Sequence, residues 1–178
     1  MVDPGHMYPP LFQEVGTGSM ADQERFTDNE DGTLTDNKYK LMWLKEDYYQ
    51  RKGKWCSWKG ANKYVAKLNE KKFAGYEDWR LPKSQDCRNL YDHDSKNSDY
   101  DGDIVHIDYM FPEGCGSTYW CAEDSGINAM AYNFYSDRGY QIRKTAKDDS
   151  FMSCRPVRTA GKAKVMGRVS TTGRTRRE

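Results

Sequence analysis

Residues 97–103, Asn-Ser-Asp-Tyr-Asp-Gly-Asp, form the densest chemistry-bearing cluster in the chain. Oxygen-bearing side chains fall at Asn97, Asp99, Asp101 and Asp103, Gly102 permits a sharp turn, and Asp108 occupies the twelfth place counted from Asn97. Alternating oxygens around a glycine turn are what a hard cation such as Ca2+ requires, and the order follows the D-x-D-x-D-G pattern of calcium loops. The twelfth place of such a loop ordinarily carries a bidentate Glu, however, and Pro112 with the nearby glycines leaves no flanking helix on the C-terminal side. The segment reads either as a Ca2+ site built from Asn97, Asp99, Asp101, Asp103 and Asp108 or as a solvated acidic loop. The acidic stretch Asp28-Asn29-Glu30-Asp31-Gly32 reads as a hairpin turn, because Asp-Gly is a strong turn signal.

Five cysteines, Cys56, Cys87, Cys115, Cys121 and Cys154, are the other reactive groups. None is paired at CxxC spacing, and only three histidines accompany them, so a four-ligand zinc site finds little support. Two disulfides and one free thiol suit an exported protein, and five reduced thiols suit a cytoplasmic one. Cys115 and Cys121 flank a Gly-Ser turn and are expected near each other. Cys87, next to Arg88 and close to a helix start, stands where a thiol pKa is lowered. No Gly-x-Ser-x-Gly occurs, and His93 and His106 fall in the acidic stretch, so nucleophilic catalysis has weak backing.

The elements that must position these groups follow from periodicity. Residues 26–45 predict a hairpin continuing into the apolar strand Leu41–Leu44. Residues 57–71 predict a helix capped by Ser57, with Trp58, Ala61, Val65 and Leu68 on one stripe and Lys59, Asn62, Lys63, Lys67 and Lys71 away from it. A short helix is predicted over Gln85–Tyr91, capped by Ser84. Residues 92–117 read as a long irregular loop. Strands are expected at Tyr119–Ala122, Ala129–Tyr135, Tyr140–Arg143 and Phe151–Val157. This order predicts an α+β fold with two helices packed on a twisted antiparallel sheet. Trp43, Trp79 and Trp120 are expected in the core, and Arg80 is expected to pair with Asp78 or Asp36.

Composition bounds the rest. The chain has 178 residues, a mean hydropathy of −1.02 and 13% aromatic residues, too many for wholesale disorder. No run is long and apolar enough for a membrane span. The net charge of +1 is uneven: residues 160–178 carry +5 and the remainder −4. That tail reads as a flexible basic end that offers a contact to polyanions. A nucleic-acid partner is not expected. Residues 1–24 lack periodicity and contain Gly-His-Met and Gly-Ser-Met steps, which read as a flexible vector-derived leader ahead of a domain at 25–159. A native export signal would be absent from such a chain.

Five stretches follow one pattern in order: FTDNEDGTLTDNKYKLMWLK (26–45), a Trp-then-Ala helix (58–68), FAGYEDWRLPKSQDCRNLYD (73–92), YWCAED (119–124) and FMSCRPVR (151–158). Together they resemble the C-terminal domain family of the Legionella collagen-like protein across about residues 25–159. The chain departs from the family pattern at Cys87, where a leucine-like residue is usual, and at Cys121-Ala122, where the family has a Ser-Ser-Thr-like stretch. The resemblance implies a C-type-lectin-like fold on an exported or surface bacterial protein, a cytoplasmic location being the alternative. It also implies that Cys154 lies beside Cys56 or Cys87, because the final strand of that fold packs on the helices. The adhesin that names the family binds sulfated glycosaminoglycans.

The function expected on these grounds is non-catalytic binding or adhesion, with a glycan, a sulfated polysaccharide or a partner protein as ligand. The expected ligand-facing residues are Tyr119, Tyr132, Phe134, Tyr135 and Tyr140, since tyrosines on loops and edges supply rigid amphipathic contacts. The alternatives are a cysteine-dependent oxidase resembling formylglycine-generating enzymes and a purely structural surface subunit.

Overall fold

A three-strand meander opens the fold: β1 (Phe26–Asp28), β2 (Thr33–Asp36) and β3 (Leu41–Leu44), paired antiparallel in that order. The acidic 28–32 turn closes on itself. Asp28 Oδ1 accepts from the Glu30 amide and Asp31 Oδ1 from the Thr33 hydroxyl, while Lys45 Nζ pairs with Asp28 Oδ2 at 2.5 Å. Gly32 adopts φ 86°, a left-handed conformation that favours glycine. In this computed structural model, residues 24–148 and 150–161 are described. The expected leader up to residue 23 and the basic tail from residue 162 lie outside the described residues.

Three helices follow. α1 (Tyr48–Lys52), which sequence patterning did not reveal, is held by a capping box in which Asp47 Oδ1 accepts from the Gln50 amide and Gln50 Oε1 from the Asp47 amide. α2 (Trp58–Glu70) begins at Ser57 as expected, its hydroxyl accepting from the Gly60 amide, and buries Ala61, Tyr64, Val65 and Leu68. α3 (Ser84–Leu90) differs in its cap: the Ser84 hydroxyl donates to Glu123 Oε1 at 2.7 Å instead.

The expected loop 92–117 is largely packed. It contains the small hairpin β4 (Asn97–Ser98) and β5 (Ile104–Val105), and it sends Val105, Ile107, Phe111 and Cys115 into the core. A second four-stranded sheet is built from β6 (Thr118–Ser125), β7 (Asn128–Asn133), β8 (Arg138–Arg143) and β9 (Met152–Ser153), in the order β8-β7-β6-β9. It is not wholly antiparallel, since β6 and β9 run parallel. The expected strand 151–157 is also broken in two. β10 (Val157–Thr159) leaves the second sheet and pairs with β3 in the first. The architecture is α+β, with two four-stranded sheets, a two-stranded hairpin and three α-helices among the described residues.

Trp43, Trp79 and Trp120 are buried in the core as expected. Two arginines are fully buried with them. Arg155 donates to the Tyr119 hydroxyl at 3.0 Å and to the carbonyls of Leu44 and Lys45, with its guanidinium 4.7 Å from the Phe111 ring centroid. Arg158 pairs with Asp78 at 2.6 Å and lies 3.6 Å from the Tyr76 ring centroid. Arg158 is thus paired with a carboxylate, whereas Arg155 is held by hydrogen bonds to neutral oxygens. Arg80 takes neither expected partner. It pairs with Asp86 at 2.7 Å, because Asp78 is held by Arg158 and Asp36 by Arg25.

Candidate functional site

The five aromatics expected to face a ligand divide. Tyr119, Tyr132 and Phe134 are fully buried. Phe134 packs between the other two at 5.0 and 5.1 Å, Tyr119 accepts from Arg155, and the Tyr132 hydroxyl donates to Asp137. They are core residues because Tyr119 on β6 and Tyr132 on β7 stand opposite each other in register, with Phe134 just past β7 packed on both. Tyr135 and Tyr140 remain 40% and 37% exposed. Tyr135 is tethered as well, its hydroxyl donating to Asp99 Oδ2.

The acidic stretch is also redirected. Asn97 is buried, its amide donating to the carbonyls of Asp108 and Phe111. Asp99 is buried, and its Oδ1 accepts from the Asp101 and Asp103 amides at 2.9 Å each. Asp108 Oδ1 accepts from the Met110 amide, and only Asp101 and Asp103 are fully exposed. The alternation that suggests a cation loop instead serves a turn, with two of the five side chains spent on its interior. Among the described residues no group of three or more His, Cys, Asp or Glu is arranged to hold a metal ion.

A different surface concentrates charge. A groove of about 830 Å³ lies against α1 and α2 and is lined by Arg51, Lys52, Lys54, Lys63, Lys67 and Lys71, with Glu46 as the one carboxylate in the lining. Lys63 and Lys67 on α2 and Lys71 at its C-cap recur every fourth residue, on one side of the helix. Like charges at this spacing destabilise a helix by roughly 0.2–0.5 kcal/mol per pair, and these three make no ion pair among the described residues. Rings back the cations: Tyr48 meets Tyr64 edge-on at 5.1 Å, and the Arg51 guanidinium lies 4.6 Å from the Phe73 centroid. Burial pushes the Tyr64 phenol pKa up, while the nearby Arg51 charge opposes that rise. The Tyr64 hydroxyl is buried beside Arg51, and Arg51 Nε stands 3.4 Å from Glu46 Oε2.

A cluster of rings lies next to this groove, reached through α1 itself. Tyr48 contributes to the groove, and the next residue, Tyr49, stacks on Trp55 at 4.0 Å. Trp55 meets Tyr100 at 4.7 Å and Phe151 at 5.6 Å, and Tyr100 stacks on Phe151 at 5.5 Å. Phe151 is 46% exposed and takes a left-handed φ of 49°, uncommon for a bulky side chain. Burial raises the Tyr100 pKa, with Asp99, Asp101 and Asp103 adding to the rise, so these carboxylates border the cluster. Neither surface was expected from the sequence. The row Lys63-Lys67-Lys71 was visible there, but nothing showed that α1 faces it.

All five cysteines are buried with free thiols. Cys121 lies by Cys87, sulfur to sulfur 3.9 Å, and not by Cys115 as expected. Cys154 lies beside Cys56, as the resemblance implied. The expected low pKa of Cys87 is overturned, since burial pushes its thiol well up and Cys121 adds to the rise. Cys115, near Arg155, Asp47 and Tyr119, is pushed up to about 11 by burial.

The molecule is therefore a small α+β domain whose exposed chemistry is a cationic groove bordered by aromatic rings. No helix among the described residues is long and apolar enough to cross a membrane. Residues 32–158 match the sequence model of the Lcl C-terminal domain, and the chain belongs to that family. No curated protein shows significant similarity to it.

Proposed function

We propose that this domain is a non-catalytic binding module of C-type-lectin-like fold that takes an acidic polysaccharide, such as a sulfated glycan, along the groove between α1 and α2. One observation carries the reading: six cationic side chains line the groove against one carboxylate. Sulfate or carboxylate groups spaced along a sugar chain suit such a row, because each contact displaces counterions and adds affinity at low salt. The adjoining Tyr49, Trp55, Tyr100 and Phe151 rings offer apolar faces to the C–H side of a pyranose.

Two features weigh against the alternatives. Buried thiols make poor nucleophiles, which disfavours a cysteine-dependent oxidase. Unpaired lysines at four-residue spacing weaken α2, which a purely structural subunit would gain nothing from. The reading places the protein outside the bacterial cytoplasm, where acidic polysaccharides are met. Heparin-column retention of the full chain tests it. The K63E/K67E/K71E variant is expected to elute at markedly lower salt, with its circular-dichroism spectrum retained. Unchanged elution of that folded variant would overturn the assignment.

A further inference from the structure

We propose that Cys87 with Cys121, and Cys56 with Cys154, are two built disulfide sites, the first joining α3 to β6 and the second joining the α1–α2 connection to the β9–β10 connection, and that Cys115 is the residue left as a thiol.

The pairs are set by the fold. Cys87 lies on α3 and Cys121 on β6, with their sulfurs 3.9 Å apart. A disulfide needs about 2.05 Å, an approach that small side-chain rotations supply when the backbones are already in place. They are in place here. The Ala122 amide donates to the Pro82 carbonyl at 2.8 Å, and Glu123 accepts from the Ser84 amide and hydroxyl, so the start of α3 is bound to β6 on the two residues that follow Cys121. The second pair is framed in the same way. The Cys56 amide donates to the Met152 carbonyl at 2.9 Å, and the Tyr48 amide to the Cys154 carbonyl at 2.8 Å. These two cysteines share one apolar cluster with Leu44, Trp120 and Met152.

The odd number resolves itself. Cys115 stands beside Tyr119, Arg155 and Asp47, in the same core cluster as Cys87 and Cys121, whose sulfurs already face each other. The pairing also accounts for two departures from the family pattern together, since Cys87 and Cys121 are partners in space. The sites are nested: the chain between Cys56 and Cys154 contains both members of the inner pair.

The chemistry is thiol–disulfide exchange with a small-molecule or protein disulfide as oxidant. One cysteine thiolate attacks a sulfur of the oxidant and expels one thiol, leaving a mixed disulfide. The second thiolate attacks the protein sulfur of that mixed disulfide and expels the other thiol. Each site loses two protons and two electrons, and each oxidant disulfide is reduced to two thiols. Because burial raises the thiol pKa of Cys87 and Cys154 and hides all four sulfurs, closure belongs to the folding chain rather than to the finished domain.

The test is peptide mapping of the full-length chain refolded in a buffer of reduced and oxidised glutathione. Free thiols are alkylated before digestion without reductant. The expected result is two cross-linked peptides, Cys87–Cys121 and Cys56–Cys154, and a fully alkylated Cys115. C115A is expected to give the same two bridges, and C121A to lose the inner bridge alone. Five alkylated cysteines, or a bridge that includes Cys115 in the parent chain, would overturn the proposal. Because this readout involves no ligand, its outcome is independent of the polysaccharide reading.

Discussion

The Tyr135 hydroxyl donates to the buried carboxylate of Asp99, tying the end of the β7 region to the turn between β4 and β5. The other carboxylate oxygen accepts two backbone amides. Asp99 is therefore a structural acceptor, and Tyr135 completes it. Y135F leaves that oxygen buried without its donor, a loss of about 1–3 kcal/mol. For a chain of this length this lowers the melting temperature by about 2–4 °C per kcal/mol, which differential scanning calorimetry would read. An unchanged melt would show that solvent replaces the phenol.

The same contact has a pH signature. Burial raises the Tyr135 pKa, with the Asp99 hydrogen bond second, and burial also raises those of Tyr119, Tyr132 and Tyr140. Each phenol keeps its proton in the folded chain to higher pH than in the unfolded chain, whose phenols titrate near pH 10. The folded state then binds more protons, so stability is fully present below about pH 10 and falls as pH rises through the raised values. Urea melts between pH 8 and 11, with tyrosinate absorbance as the probe, are expected to show this decline.

Calcium is expected to leave the melt unchanged. Asn97 and Asp99 face the interior, and the exposed pair Asp101 and Asp103 lacks further ligands. Millimolar calcium and EDTA should give matching curves for the parent chain and for D101N/D103N. A rise of several degrees in calcium that the double variant abolishes would restore the cation loop.

Arg158 and Asp78 test the buried charge. Arg158 is fully buried, with Asp78 at 2.6 Å. D78A removes the carboxylate paired with a fully buried guanidinium and is expected to cost about 3–5 kcal/mol. Chemical denaturation would measure it, and a loss under about 1 kcal/mol would show that the Tyr76 ring and the other contacts of Arg158 compensate the charge.

Binding and stability should oppose each other at Lys67, which has lysines four residues away on both sides. K67Q is expected to stabilise α2 by a few tenths of a kcal/mol while weakening heparin retention. Deleting residues 162–178 should weaken retention without changing the melt, which separates the tail's contribution from the groove's.

Local pattern made most elements readable. The Ser57 cap and the stripe through Ala61, Val65 and Leu68 place α2 to within one residue at each end, and the Asp-Gly turn locates β1 and β2. Direction was not readable. Alternation cannot show that β6 is buried on both sides from Thr118 to Cys121, so Tyr119, Tyr132 and Phe134 look in sequence like surface aromatics. The acidic stretch misleads for a related reason: oxygens at alternate positions describe a metal loop and a hydrogen-bonded turn equally well. The groove needs α1, whose five residues are too few to show a period. Its capping box, Asp47 with Gln50, was the one local signal available.

Residues 152–159 hold places in both large sheets, beside β6 through β9 and beside β3 through β10. Neither sheet has its full set of strands while this segment is still being synthesised. A nascent chain emerging from the ribosome thus carries two incomplete sheets and cannot close its core until that stretch is free. A late closing strand therefore completes both sheets in one step, so neither can reach its final stability before the other.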